Sequence, residues 1–243
     1  MTELLFREDA TLRSCTARVV AVHETAVELD RTVFYPQGGG QPGDSGTLRL
    51  ADGSLLHVAD TKKGDAEESV LHLLAPGATP PPVGAALDAQ LDWPRRHAHM
   101  RFHTALHLLC AVVRAPVTGG RIAADRAHLD FDIEMEKLVA PEIEAALNAL
   151  VTAGHAPRAQ WIEDAEFDRR PELVRTMSVA PPRGAGRVRL LDIPGVDLQA
   201  CGGTHVADTR EIGPLKVVRI RSEGRRNRRV TIAFAAGEPS PGA

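Results

Sequence analysis

Aromatic side chains are scarce in this chain, with six Phe, two Trp and one Tyr among 243 residues. Any core must therefore be aliphatic, and the hydrophobic share of 43% suffices for one large domain or two modest ones. Cysteine is nearly absent. Cys15, Cys110 and Cys201 are too few, and odd in number, for a disulfide framework, so a reducing compartment, the cytoplasm, is expected. No apolar run approaches the roughly eighteen residues of a bilayer-spanning helix. The opening MTELLFREDATLR lacks the basic-then-apolar order of a secretory signal. Neither sign of charge dominates: the net charge is −3 and the pI about 6.4, which gives no global signal of nucleic-acid binding.

What is present is concentrated. Lys216, Arg219, Arg221, Arg225, Arg226, Arg228 and Arg229 stand within one short stretch against Glu223 alone. A mildly acidic chain with one basic strip suits a polyanionic ligand docked on one face.

The first third reads as strands. SCTARVVAVHE, AVELD, GTLRL, SLLHVADTK and SVLHLLA are short β-prone runs separated by turn-rich segments such as PQGGGQPGDSG. Such spacing predicts a small β-barrel or sandwich over residues 1–85. The Pro- and Gly-rich 75–84 then leads into one more strand, AALDAQLD. From Asp92, a plausible N-cap, a helix is predicted to about Arg114, with Ala98, Phe102, Ala105, Leu106, Leu109 and Val113 on its buried stripe. A second helix is predicted over Pro141–Ala153. HLDFDI, PRAQWIED, RVRLLDI, PLKVVRIRSE and RRVTIAFA read as further strands, an α+β arrangement.

Two pairs of metal-ligand type lie about a hundred residues apart. His103 and His107 are four apart on the first helix and share a face; Cys201 and His205 are four apart in CGGTH. His99 shares the helix face as well. Three ligands on one straight helix would span about 11 Å of rise, too far to converge on one ion, so one adjacent pair must serve. The 103/107 pair is nearer the predicted core, whereas His97 and His99 lie in the polar RRHAHMR. Gly202 and Gly203 would let the chain bend between Cys201 and His205. Three imidazoles and one thiolate suit Zn²⁺. HExxH is absent, which removes the common metalloprotease reading.

MRFHTALHLL, DLQACGGTHV and SEGRRNRRVTIAF together resemble the editing domain of alanyl-tRNA synthetases, and FYPQGGGQPGDSG resembles the Gly-rich motif of the free-standing alanyl-tRNA editing proteins in their medium-length form. The family pattern often has Thr where this chain has Leu106. The resemblance implies an α+β fold with a small translation-factor-like β-barrel over 1–90 and an α+β editing domain of the alanyl/threonyl-tRNA synthetase type over 91–243. It implies one Zn²⁺ per chain on His103, His107, Cys201 and His205. It also implies hydrolysis of the ester on alanine tRNA mischarged with serine, or in some members glycine, without ATP and without a membrane partner. Thr104 and Thr204, each beside a ligand, could orient water or donate to the oxyanion. Thr118 occupies a position where the family carries a polar side chain that can discriminate serine from alanine. Gln37, Gly38, Gly39, Gly40, Gln41 and Asp44 would meet the acceptor end, and Arg225, Arg226, Arg228 and Arg229 the phosphates. Two other readings share parts of this pattern: a zinc-stabilised RNA-binding module without hydrolase activity, and a zinc hydrolase of a small ester.

Overall fold

The computed structural model describes residues 2–66, 68–174, 183–184 and 186–235. The sequence-predicted ranges 1–90 and 91–243 also include residues 1, 67, 175–182, 185 and 236–243, which lie outside the described residues. Two compact units divide the chain, one up to Ala98 and one from His99 onward.

Six strands of the first unit close a barrel: β1 Ser14–Val22, β2 Ala26–Leu29, β3 Gly46–Leu50, β4 Leu55–Lys63, β5 Val70–Leu74 and β6 Ala86–Leu91, in the order β1-β2-β5-β4-β3-β6 and back to β1. All the predicted runs of the first third are there. Closure leaves no edge to aggregate. Alternation decides what points inward: β6 runs exposed, buried, exposed, buried along its length, sending Leu87, Ala89 and Leu91 into the core. Val19, Val27, Leu29 and Leu48 line that interior with them, together with the buried ring of Phe34.

Helix α1, Trp93–Val113, begins where Asp92 Oδ1 accepts from the Arg95 backbone N–H at 3.2 Å, as expected of an N-cap. Its burial is not a stripe. Every residue from Ala98 to Cys110 is buried, and the buried set includes His99, Arg101, His103, Thr104 and His107. Polar groups at that depth need partners. Arg101 finds one by donating through Nε and Nη2 to the Ile212 carbonyl (3.0 and 2.6 Å).

The second unit holds two antiparallel sheets. One orders β12 Leu215–Ser222, β13 Asn227–Phe234, β8 Ala127–Asp132 and β7 Val117–Ile122 side by side. In the other, β9 Arg158–Glu163 and β11 Asp197–Ala200 both pair with β10 Arg187–Ile193. Helix α2, Ala140–Ala153, covers the edge of β12 and satisfies its backbone. Asn148 exchanges two 2.9 Å bonds with the Leu215 main chain, and Glu144 Oε2 accepts from the Val217 N–H at 2.9 Å.

Strand β7, VTGGRI, is not among the runs read as strands from the sequence. Gly119 and Gly120 pair with Asp130 and Leu129 of β8, and a Cβ on Gly120 would stand 2.6 Å from Leu129 Cδ2. Gly120 thus serves close strand approach rather than a bend.

Candidate metal centre

The cluster is assembled from one helix and one strand-end loop. His103 and His107 extend from α1 one turn apart, with ring centroids 5.4 Å apart. Cys201 follows β11 directly, and its backbone N–H donates to the Arg189 carbonyl at 3.1 Å. The buried Arg189 guanidinium returns through Nη1 to the carbonyls of Cys201 (2.9 Å) and Gly203 (3.1 Å), clasping the loop at both ends of its bend. Neither Gly202 nor Gly203 adopts left-handed backbone, so the bend does not use the freedom expected of them. Instead the Gly203 N–H lies 3.5 Å from Cys201 Sγ.

One ligand atom from each of His103, His107, Cys201 and His205 lies within 4.8 Å of all the others, and all four residues are buried. Cys201 Sγ is 3.6 Å from His103 Nε2 and 3.2 Å from His205 Nε2. A tetrahedral centre with bonds of about 2.0–2.3 Å sets its donors roughly 3.3–3.8 Å apart. The donor set suits Zn²⁺, and the two sulfur–nitrogen distances lie close to that spacing.

The far nitrogens of two rings are anchored. His107 Nδ1 donates to Asp197 Oδ2 at 3.0 Å, which leaves Nε2 for the cluster. His205 Nδ1 faces Thr104 Oγ1 at 3.2 Å, and that hydroxyl donates its own hydrogen to the Met100 carbonyl at 2.9 Å. Thr104 thus accepts from His205 and fixes its tautomer. Electrostatics among the protein's own groups follow the geometry. Burial opposes ionisation of Cys201, yet the three imidazoles outweigh it and hold the thiol well below its usual range. Burial likewise works against a charged His107, but the Cys201 charge and the Asp197 bond raise its pKa to about 10. At His205 burial prevails and lowers the pKa to about 3. Such a pocket prefers a thiolate and stabilises positive charge beside it.

His99 was expected in a polar stretch but is buried. His97 stacks on Trp93 at 5.6 Å between centroids.

Other sequence-predicted residues fall into distinct surroundings. Thr204 is buried. The Thr118 hydroxyl donates to Asn227 Oδ1 at 2.7 Å, linking β7 to the start of β13. In the Gly-rich segment, Gly38 and Gln41 exchange backbone bonds of 3.1 and 2.9 Å around Gly39 (φ 56°) and Gly40 (φ 81°), a tight two-residue turn. Gln37 is exposed at this turn, whereas Gln41 is fully buried. Asp44 is buried too. Its carboxylate accepts from the Tyr35 N–H at 2.6 Å and from Arg96, whose Nε lies 3.1 and 2.9 Å from its two oxygens and whose Nη2 also donates to it. That side chain supports the segment from within.

The arginines of the basic strip are equally unlike one another. Arg229 is bidentate to Asp130 at 2.7 and 2.8 Å, and Arg226 meets Asp132 at 2.9 Å. Arg228 folds back onto its own turn and donates to the Gly224, Asn227 and Arg225 carbonyls and the Ser222 hydroxyl. Arg225 is exposed.

Three residues escaped the sequence reading: Arg189, Asp197 and Gln199. The last two were within reach, because D-x-Q ahead of the cysteine places both on one face of a strand.

Among known families, the one described as the threonyl and alanyl tRNA synthetase second additional domain matches residues 188–231, and class II (A) tRNA synthetases match residues 8–95. The alanyl-tRNA editing protein AlaX-M of Methanosarcina acetivorans is 33% identical over 95% of this chain and 98% of its own length. That of Saccharolobus solfataricus is 32% identical over the same shares. The alanine–tRNA ligase of Pyrococcus furiosus is 35% identical over 98% of this chain but only 26% of the ligase.

Proposed function

Since the chain belongs to the family of alanyl-tRNA editing proteins, we propose that it is a deacylase that hydrolyses the ester of alanine tRNA mischarged with serine, or glycine, through a zinc centre. The observation that carries the proposal is the buried set of His103, His107, Cys201 and His205, whose ligand atoms all lie within 4.8 Å of one another.

These four residues would hold Zn²⁺, which when bound supplies Lewis-acid and template chemistry beside the scissile ester. The rest falls to the chain's own groups. Thr104 and Asp197 keep two imidazoles turned toward the centre, and Arg189 holds the loop that carries Cys201. Thr204, beside His205, remains the candidate to orient water. Serine exceeds alanine by one hydroxyl, so a pocket that prefers it must offer a polar partner that alanine would leave unpaired. Thr118 with Asn227 is such a polar pair. Gln37 and the backbone of Gly38, Gly39 and Gly40 are the groups of the Gly-rich segment open to an acceptor end, with Gln41 and Asp44 behind them. Arg225 and Arg226 offer charge to RNA phosphates.

The test compares deacylation of Ser-tRNA(Ala), Gly-tRNA(Ala) and Ala-tRNA(Ala). The proposal expects serine or glycine to be removed much faster than alanine. Equal rates on all three would contradict proofreading. Binding of tRNA without any cleavage would favour a zinc-stabilised RNA-binding module.

A further inference from the structure

Asp197 lies outside the four-ligand cluster but hydrogen-bonds into it. It opens β11 opposite Ile193, with Gln199 two residues on and on the same strand face. Leu198 and Ala200 take the other face and pack against a separate apolar cluster with Phe167 and Leu173. This alternation commits Asp197 and Gln199 to the His107 side. Asp197 Oδ2 accepts from His107 Nδ1 at 3.0 Å and from Gln199 Nε2 at 2.5 Å, and both partners are buried. The contrast with His205 is instructive: its outer nitrogen meets only a neutral hydroxyl.

We propose that Asp197, held by Gln199, is a positioning residue that sets the metal affinity of this centre, because its carboxylate fixes the His107 tautomer and supplies buried negative charge behind the ring. Charge and orientation act separately. A divalent cation with one thiolate leaves a net positive charge in a buried site, and the Arg189 guanidinium nearby adds another. The Asp197 carboxylate offsets part of that sum and makes His107 a more basic ligand.

The inference rests on the metal reading above, and its test separates the two. Zinc affinity is measured by competition with a chromophoric chelator on wild type, Asp197→Asn, Asp197→Ala and Gln199→Ala, with no RNA present. Visible spectra of the cobalt-substituted proteins and the unfolding midpoint of each zinc-stripped protein are recorded alongside. Asparagine can still accept from His107 but carries no charge, so D197N isolates the charge and D197A removes both effects. The expected losses of affinity are about tenfold for D197N and about a hundredfold for D197A, with a smaller loss for Q199A. The cobalt band should shift in D197A. A folded D197N that binds zinc within about twofold of wild type overturns the charge assignment. An unchanged, folded D197A overturns the whole proposal. Wild type that takes up neither zinc nor cobalt overturns the metal reading and this inference together. A shifted affinity without any deacylation supports this inference and removes only the substrate reading.

Discussion

Seven cationic residues within one short stretch read alike in sequence, yet their side chains differ in what they can give to RNA. The guanidinium of Arg229 is neutralised by Asp130, and that of Arg228 is committed to carbonyls and a hydroxyl of its own turn. Arg225 projects into solvent. Arg225→Ala is therefore expected to reduce the slope of log affinity for tRNA against log salt by about one phosphate contact, with no change in unfolding temperature. Arg228→Ala should also speed amide exchange across 222–227, because it opens the turn. Equal exchange in the two variants would contradict the division. Asp44 shows the same gap between type and environment. It reads as a loop carboxylate free for a ligand, but Arg96, fifty-two residues away, takes it into the interior. No local pattern encodes that partner.

At the scale of elements, most strands and both long helices were legible, because alternation in β1–β6 and the Asp92 cap are local signals. Strand β7 was not. Two adjacent glycines weigh toward a turn, whereas the facing strand crowds any Cβ at Gly120, with Leu129 Cδ2 at 2.6 Å and the His128 carbonyl at 3.2 Å. The buried cluster of His103, His107, Cys201 and His205 was legible because both pairs are four apart in sequence, whereas the carboxylate behind His107 needed the strand to be seen. The Gly-rich segment also divides by role. A Cβ at Gly43 would lie 2.1 Å from the Thr61 carbonyl oxygen, while Gly39 has open space and a φ of 56°. Gly43→Ala must push backbone apart and is expected to cost about 3 kcal/mol. Gly39→Ala carries only left-handed strain, about 1 kcal/mol. Urea unfolding of both variants checks the order; a Gly39→Ala that costs more than Gly43→Ala would contradict it.

For the molecule as a whole, no helix among the described residues is long and apolar enough to cross a membrane, and its buried cores combine aliphatic side chains with Phe34, Phe102 and Phe131. One buried titratable group then shapes the acid limit. His72 donates through Nδ1 to the Val27 carbonyl (3.2 Å) and meets the Thr32 hydroxyl through Nε2 (2.8 Å), an arrangement for the neutral ring. Burial lowers its pKa to about 4. The folded value lies below the unfolded 6.5, so the unfolded chain binds the proton first. The stability from keeping His72 neutral is present above pH 6.5 and is lost as pH falls toward 4, by about 3 kcal/mol. His72→Gln should flatten that part of the pH–stability curve; an unchanged slope in the variant would remove His72 as its source.

Whether one metal centre serves one reaction is tested most directly by single-turnover deacylation of Ser-tRNA(Ala) by zinc-stripped protein titrated with zinc. The rate is expected to rise linearly and saturate at one equivalent per chain, with no rise in Cys201→Ser. A stripped protein already at full rate, or a Cys201→Ser variant that saturates like wild type, would contradict it.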